Sequence, residues 1–283
     1  MMSCFEGIAE LSRLNEASRY REAVVRFAES LRRRERMIIG SGSNQELWCD
    51  GATFQTEQLE QPVETCVTVT WMHLCEQVLR LTGNPLWADE LELSLYNALL
   101  SAMMPDGGWW AYFSPLAGQR VASHVQHPDV GLSCCVANGP RALFAVPRWA
   151  VMRAPDGGPV INLYAPMTIR WTLPDGTPFT IEVRTSYPRE APVEIALRPA
   201  EPRRCTLRFR IPEWSARTRL QINGADAPPP SAGQYATVER EWTPGDMVRL
   251  ELDLRARVVS APSGAPAQAV LRGPIVLALD DRF

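Results

Sequence analysis

The sequence predicts an α + β multidomain fold, with helices in the first half and an antiparallel β-sandwich in the second. Three observations carry this. Apolar residues recur at helical spacing up to about residue 103. Short alternating segments take over from about residue 159. Most of the 24 prolines fall in that second part, where turns are needed and helices are not. A chain of 283 residues accommodates two domains, and 46% hydrophobic against 22% charged residues supports a sizeable core.

The first expected helix covers 3–14 with Ile8, Leu11 and Leu14, and the second covers 19–36 with Val24, Phe27 and Leu31. Asn15-Glu16-Ala17-Ser18 suits a tight connection between antiparallel neighbours. A third helix over 66–82 places Val67, Trp71, Leu74, Val78 and Leu81 on one side and stops at Gly83. Asn84-Pro85 opens a fourth over 85–103, where Leu91, Leu95 and Leu99 repeat every four residues. A last short helix is expected from Pro140, capped by Asn138. The polar stretch Ala154 to Gly158 marks the change of period, so the expected domains are 1–150 and 151–283. Beyond it, segments such as Thr180 to Arg184 and Thr206 to Arg210 alternate, with turns at Pro174-Asp-Gly176 and Asn223-Gly224.

Composition removes several classes of function. A net charge of −3 gives no polyanion-binding surface, so nucleic acid is not an expected partner. No apolar run approaches the roughly 18 residues that span a bilayer, and the start lacks the features of a signal peptide. A cytoplasmic protein without a membrane partner is the expectation. All 29 basic residues are Arg, which excludes Schiff-base lysine chemistry. The seven cysteines are odd in number in a long chain, so free thiols or metal ligands are expected in place of a disulfide framework.

The chemistry concentrates in Glu64-Thr65-Cys66 and Cys134-Cys135. Three thiols and one carboxylate make a four-ligand set for Zn²⁺, which accepts sulfur and oxygen. Cys66 sits at the start of a predicted helix, where backbone N–H groups favour a thiolate. Spacing alone leaves a second reading open, that of buried inert thiols. His73 reads as packing on its helix. Tyr112, in an aromatic stretch with Trp109, Trp110 and Phe113, reads as core or as pocket lining.

These segments occur in a longer pattern. Glu64-Thr-Cys66 leads through Leu79-Arg-Leu-Thr-Gly83, Trp87-Ala-Asp89, Leu95-Tyr-Asn-Ala98 and Tyr112-Phe-Ser-Pro-Leu116 to Cys134-Cys135. The second half adds Arg210-Ile-Pro-Glu-Trp214, Ile222-Asn-Gly224, Arg240-Glu-Trp242, Pro244-Gly-Asp246 and Arg272-Gly-Pro274. In this order, over nearly the whole chain, they resemble glycoside hydrolase family 127, whose known members release β-L-arabinofuranose. The resemblance implies a retaining glycosidase with a zinc-bound cysteine nucleophile. It implies Glu64, Cys66, Cys134 and Cys135 as zinc ligands, Cys134 as nucleophile, Glu46 as acid/base and Tyr112 as a sugar contact. Glu57 and Glu60 are the lesser rivals of Glu46, because the loop between Glu46 and Glu64 departs from the family pattern.

Family members are longer, with a complete (α/α)₆ barrel before the sandwich. The resemblance therefore places 1–150 in the C-terminal part of that barrel, and 151–283, ending at Asp280-Asp-Arg-Phe283, in a sandwich shortened at its end. Expected partners are a carbohydrate substrate and either a separate chain supplying the other barrel half or further copies of this one. The rival expectation is an inactive zinc-stabilised remnant that binds carbohydrate or a partner.

Overall fold

The computed structural model describes residues 2–15, 18–262 and 264–279. The expected connection at 15–18 and the final residues 280–283 fall wholly or partly outside them. The chain divides into two compact units. One comprises Met1–Gly83, Glu90–Val146 and Ala256–Phe283, and the other Asn84–Asp89 and Pro147–Arg255.

In the first unit, α1 (Met2–Asn15) and α2 (Ser18–Ser30) are followed by a π-helical turn, Leu31–Glu35. The stripe expected to be buried on α1 is not the buried one. Met2, Ala9 and Ser12 are covered, while Leu11 is 40% and Leu14 81% exposed. The short α3 (Gly51–Phe54) lies in what the sequence reads as loop, and α4 (Thr65–Thr82) follows. Helix α4 is buried around most of its circumference, including Thr68, Met72, Cys75 and Glu76, so it is a central helix and not a one-sided one.

The expected single helix over 85–103 is three pieces: α5 (Leu86–Ser94), a π-helical turn (Leu95–Leu99) and α6 (Leu100–Ala102). The widening has a visible cause. Ala98 donates its N–H to the Ile39 carbonyl at 3.2 Å, outside its own helix. Gly40 permits the approach of this loop, since at φ +81° a Cβ there would lie 2.6 Å from the Ser94 nitrogen. Asn97 also ties in the three-stranded antiparallel sheet β11 (Ala256–Ser260), β12 (Gln268–Arg272) and β13 (Ile275–Val276). Its amide donates to the Pro274 carbonyl and its carbonyl accepts from the Val276 N–H, both at 2.8 Å.

The last helix, α7 (Cys134–Ala150), starts six residues before the expected Pro140. Ser133, not Asn138, serves its N-terminus: the Ser133 hydroxyl accepts from the Val136 N–H at 3.3 Å. Pro140 sits inside the helix, where its missing N–H costs one hydrogen bond without ending the run.

The second unit holds a four-stranded sheet of order β1 (Val151–Arg153), β2 (Pro159–Ile161), β6 (Arg203–Ile211) and β9 (Gln234–Trp242). Its six-stranded companion has the order β3 (Met167–Thr172), β4 (Pro178–Thr185), β5 (Pro192–Pro199), β10 (Met247–Glu251), β7 (Arg219–Ile222) and β8 (Ala225–Asp226). Every pairing in these sheets is antiparallel except β2 with β6. Parallel neighbours need a long crossover, and β3, β4 and β5 supply it in the other sheet. Alternate residues fill the core: Phe179, Ile181 and Val183 on β4, Val193, Ile195 and Leu197 on β5, Leu207, Phe209 and Ile211 on β6. Each such side chain contributes about 1.5–3 kcal/mol of burial.

Candidate functional site

Two helix N-termini deliver the thiols. Cys66 is the second residue of α4, and Cys134 and Cys135 are the first two of α7. The positive end of each helix dipole therefore faces sulfur, which favours a thiolate. Glu64 stands immediately before α4. Its backbone N–H donates to the Ser43 hydroxyl at 3.0 Å, and Thr65 N–H donates to the Tyr112 carbonyl at 2.9 Å. Val63, just upstream, adopts φ +57°, a sterically costly conformation for a β-branched residue. Its side chain is 1% exposed in a cluster with Met37 and Ala98, and this burial holds the strained backbone in place.

These elements gather four ligand atoms within 4.8 Å of one another: a Glu64 oxygen and the sulfurs of Cys66, Cys134 and Cys135. Cys66 and Cys135 sulfurs are 3.5 Å apart, and those of Cys134 and Cys135 are 3.9 Å apart. A Glu64 oxygen lies 4.0 Å from the Cys135 sulfur. Such a cluster can hold a metal ion. Burial pushes the Glu64 carboxyl up to about 7. The neighbouring Cys135 thiol, and then burial, push Cys66 well above the ordinary thiol range. Burial, and then Cys66, raise Cys134 as well. Glu64, Cys66 and Cys134, crowded in a partly buried site, resist ionising together, and a cation would oppose that resistance.

Tyr112 joins this cluster to Glu46. Its hydroxyl is 2.5 Å from Glu46 Oε1 and 3.8 Å from Cys134 Sγ. Gln45 and Glu46 adopt φ +50° and +66°, so the acid is carried on a tight, left-handed stretch of backbone. Of its rivals, Glu60 is bonded to the Gln45 amide at 2.7 Å and Glu57 is exposed. His124, given no role by the sequence, lies parallel to the Tyr112 ring at 6.1 Å. His73 is buried beside Glu76 at 3.6 Å.

Two contributors were missed by the sequence reading. Gln126 accepts the Cys134 backbone N–H at 2.9 Å and donates to the Tyr112 hydroxyl at 3.4 Å. Gln126 and the Cys134 thiol both donate to the phenol oxygen, and the Tyr112 hydrogen is donated to Glu46. Asn138, expected as a helix cap, instead donates to Cys66 Sγ at 3.2 Å. Once α7 is started at Cys134, the i, i+3 spacing Cys135, Asn138, Arg141 gives the signal for Asn138. Nothing in the local sequence points to Gln126, because the turn at 127–131 is what returns it to the helix start.

The family model for the β-L-arabinofuranosidase, GH127 catalytic domain matches residues 2–148, and that for the GH127 middle domain matches residues 159–254. The chain belongs to the GH127 family. A curated relative, the non-reducing end β-L-arabinofuranosidase of Bifidobacterium longum subsp. longum, is 29% identical over 236 residues, which are 75% of this chain and 34% of that protein. The crystal structure of a GH127 β-L-arabinofuranosidase from Geobacillus stearothermophilus T6 superposes with a TM-score of 0.81 at 23% identity, over 97% of this chain and 46% of that one. A second solved GH127 β-arabinofuranosidase gives 0.83 at 22% identity, with 97% and 46% covered. These structures share the fold of this GH127 chain, a set of barrel helices with a β-rich part. The chain spans about a third of the curated relative and just under half of the solved ones. Among the described residues, no helix is long and apolar enough to cross a membrane.

Proposed function

We propose that this GH127 chain carries the reacting groups of a retaining glycoside hydrolase that acts on a furanoside such as a β-L-arabinofuranoside. The observation that carries the reading is the Tyr112 hydroxyl set between the Glu46 carboxylate at 2.5 Å and the Cys134 sulfur at 3.8 Å, beside the four-ligand cluster. A nucleophile and an acid/base within reach of one hydroxyl suit double displacement at one carbon.

The ligand set fits zinc. A tetrahedral ion with Zn–S bonds of about 2.3 Å holds its sulfurs about 3.8 Å apart. The observed separations of 3.5 and 3.9 Å bracket that spacing. Glu64, Cys66, Cys134 and Cys135 would hold the ion, and its charge supplies what keeps these groups deprotonated near neutral pH. The Cys134 thiolate then attacks the anomeric carbon while Glu46, as the acid, protonates the departing oxygen and the glycosidic C–O bond breaks. In the second half-reaction the Glu46 carboxylate takes a proton from water. The water oxygen bonds to the anomeric carbon, the C–S bond breaks, and the configuration is retained. Tyr112 orients both groups and contacts the sugar.

Leu14 at 81% and Phe144 at 87% exposure support a second reading: a catalytically inactive, zinc-stabilised protein that binds carbohydrate or a partner. On the first reading, 1–150 is the C-terminal part of the catalytic barrel, 151–283 is the β-sandwich, and a separate chain or a second copy completes the pocket. The test supplies a polypeptide equivalent to the remaining barrel half and assays a chromogenic β-L-arabinofuranoside. Activity that vanishes in Cys134→Ala and Glu46→Gln supports the enzyme. An inert complex that still takes up one zinc per chain supports the second reading.

A further inference from the structure

The three clustered thiols are not equivalent. Cys66 Sγ receives the Asn138 amide N–H at 3.2 Å, a normal length for an N–H to sulfur contact. The other end of that amide is engaged too, since Asn138 Oδ1 accepts from an Arg141 guanidinium nitrogen at 3.0 Å. Arg141 lies on the exposed side of α7. A positive charge thus polarises the amide, and the amide presents its positive end to one sulfur. Cys134, half-buried, has the Tyr112 hydroxyl at 3.8 Å in that direction and borders the acid/base side.

We propose that Asn138, polarised by Arg141, is the positioning residue that fixes Cys66 as the permanent ligand and leaves Cys134 as the sulfur free to react. This rests on the zinc reading above. The physical argument is general. A hydrogen bond to a thiolate draws charge off that sulfur, lowering its nucleophilicity and fixing its direction, so neighbouring groups sort chemically identical ligands into separate roles. The backbone is built to hold the amide there. Gly139 follows directly, and a Cβ at that position would lie 2.3 Å from the Trp110 ring, so α7 sits hard against a side chain that is 4% exposed. This packing sets the height at which Asn138 meets Cys66.

The discriminating variant is Asn138→Asp. It keeps the size and the Arg141 contact and replaces the donor to sulfur by a carboxylate oxygen, whose charge opposes the Cys66 thiolate. Zinc affinity is measured by competition with a chromophoric chelator on the whole chain, and cobalt(II) is substituted for its thiolate-to-metal charge-transfer band. Asn138→Asp is expected to weaken zinc at least about tenfold and to move the cobalt band to lower energy, while the metal-free chain melts as wild type does. Arg141→Gln should give a smaller loss in the same direction, and Arg141→Lys should restore most of it. A side chain that merely fills space would move neither the band nor the affinity. Affinity and band unchanged in Asn138→Asp would overturn the assignment. If that variant does not fold, unchanged affinity in the surface variant Arg141→Gln overturns it instead. A wild-type chain that takes up no zinc removes the zinc reading and this inference together, whereas normal uptake by both variants removes this inference alone.

Discussion

Arg210 in the β-rich unit and Glu64 in the helical unit are both charged residues taken out of water, at 0% and 6% exposure. Arg210 donates to the Asn162 carbonyl and to Asp89, and its own carbonyl accepts from the Tyr164 hydroxyl at 2.5 Å. Its charge is met within the protein. Glu64 has three thiols around it and no cation among its described contacts, and its carboxyl is pushed up to about 7. One buried charge is met by the chain's own groups; the other stands among three thiols in a cluster that could hold a metal ion. Buried polar groups that the chain completes by itself hold the fold, and those it leaves incomplete mark the place for a ligand.

The sharpest way to break this contrast is at Arg210. Arg210→Ala takes the guanidinium away from the half-buried Asp89 and is expected to cost about 3–5 kcal/mol, read as a fall in the urea midpoint. A midpoint within error of wild type would refute the pairing. Gly139→Ala comes next. Its methyl group must displace Trp110 or α7, at about 1–3 kcal/mol, and zinc affinity should drop along with stability. Stability lost with affinity intact would mean that the packing does not position the site.

Glu64→Gln gives a smaller effect of opposite sign. The Glu64 carboxyl titrates higher in the folded chain than in the unfolded one, so metal-free stability is full below about 4.5 and falls as pH rises to about 7. Above that window the metal-free variant should melt a few degrees higher than wild type, and added zinc should reverse the order. Zinc uptake by wild type should weaken as pH falls below about 7, because the ligands must shed protons. A variant less stable than wild type without metal would show that Glu64 is already well placed. Tyr112→Phe is the mildest for the fold, at about 1 kcal/mol or less by thermal melting, since its hydroxyl bonds lie at the half-buried rim of the site.

The sequence was most legible where one residue type answers to one local need. Gly83 ends α4 in a left-handed conformation, φ +65°, as a helix-stopping glycine does. The alternation over Thr180 to Arg184 on β4 matches its buried and more exposed faces, and that over Thr206 to Arg210 on β6 holds until Arg210, which is buried. It was least legible where distant segments meet. Leu11 and Leu14 look like core, yet Ala9 and Ser12 are the covered residues. Pro140 looks like a helix start, yet Ser133 begins the helix early enough to put both cysteines inside it. That shift turns Asn138 from a cap into a donor to Cys66.

By itself, then, the sequence determined the chemistry available: three thiols and a carboxylate, with Cys66 alone at a predicted helix start, an acid upstream of them, and a change from helical to alternating period near residue 150. Those are properties of residue type and of neighbours within a few positions. Only the tertiary structure decided which groups meet. Gln126 reaches Cys134 through a turn, Tyr112 links Glu46 to sulfur across 66 positions, and Asn138 reaches Cys66 across 72. Bonds between such distant residues depend on how helices seat against one another, and ångström-scale packing fixes that where local pattern does not.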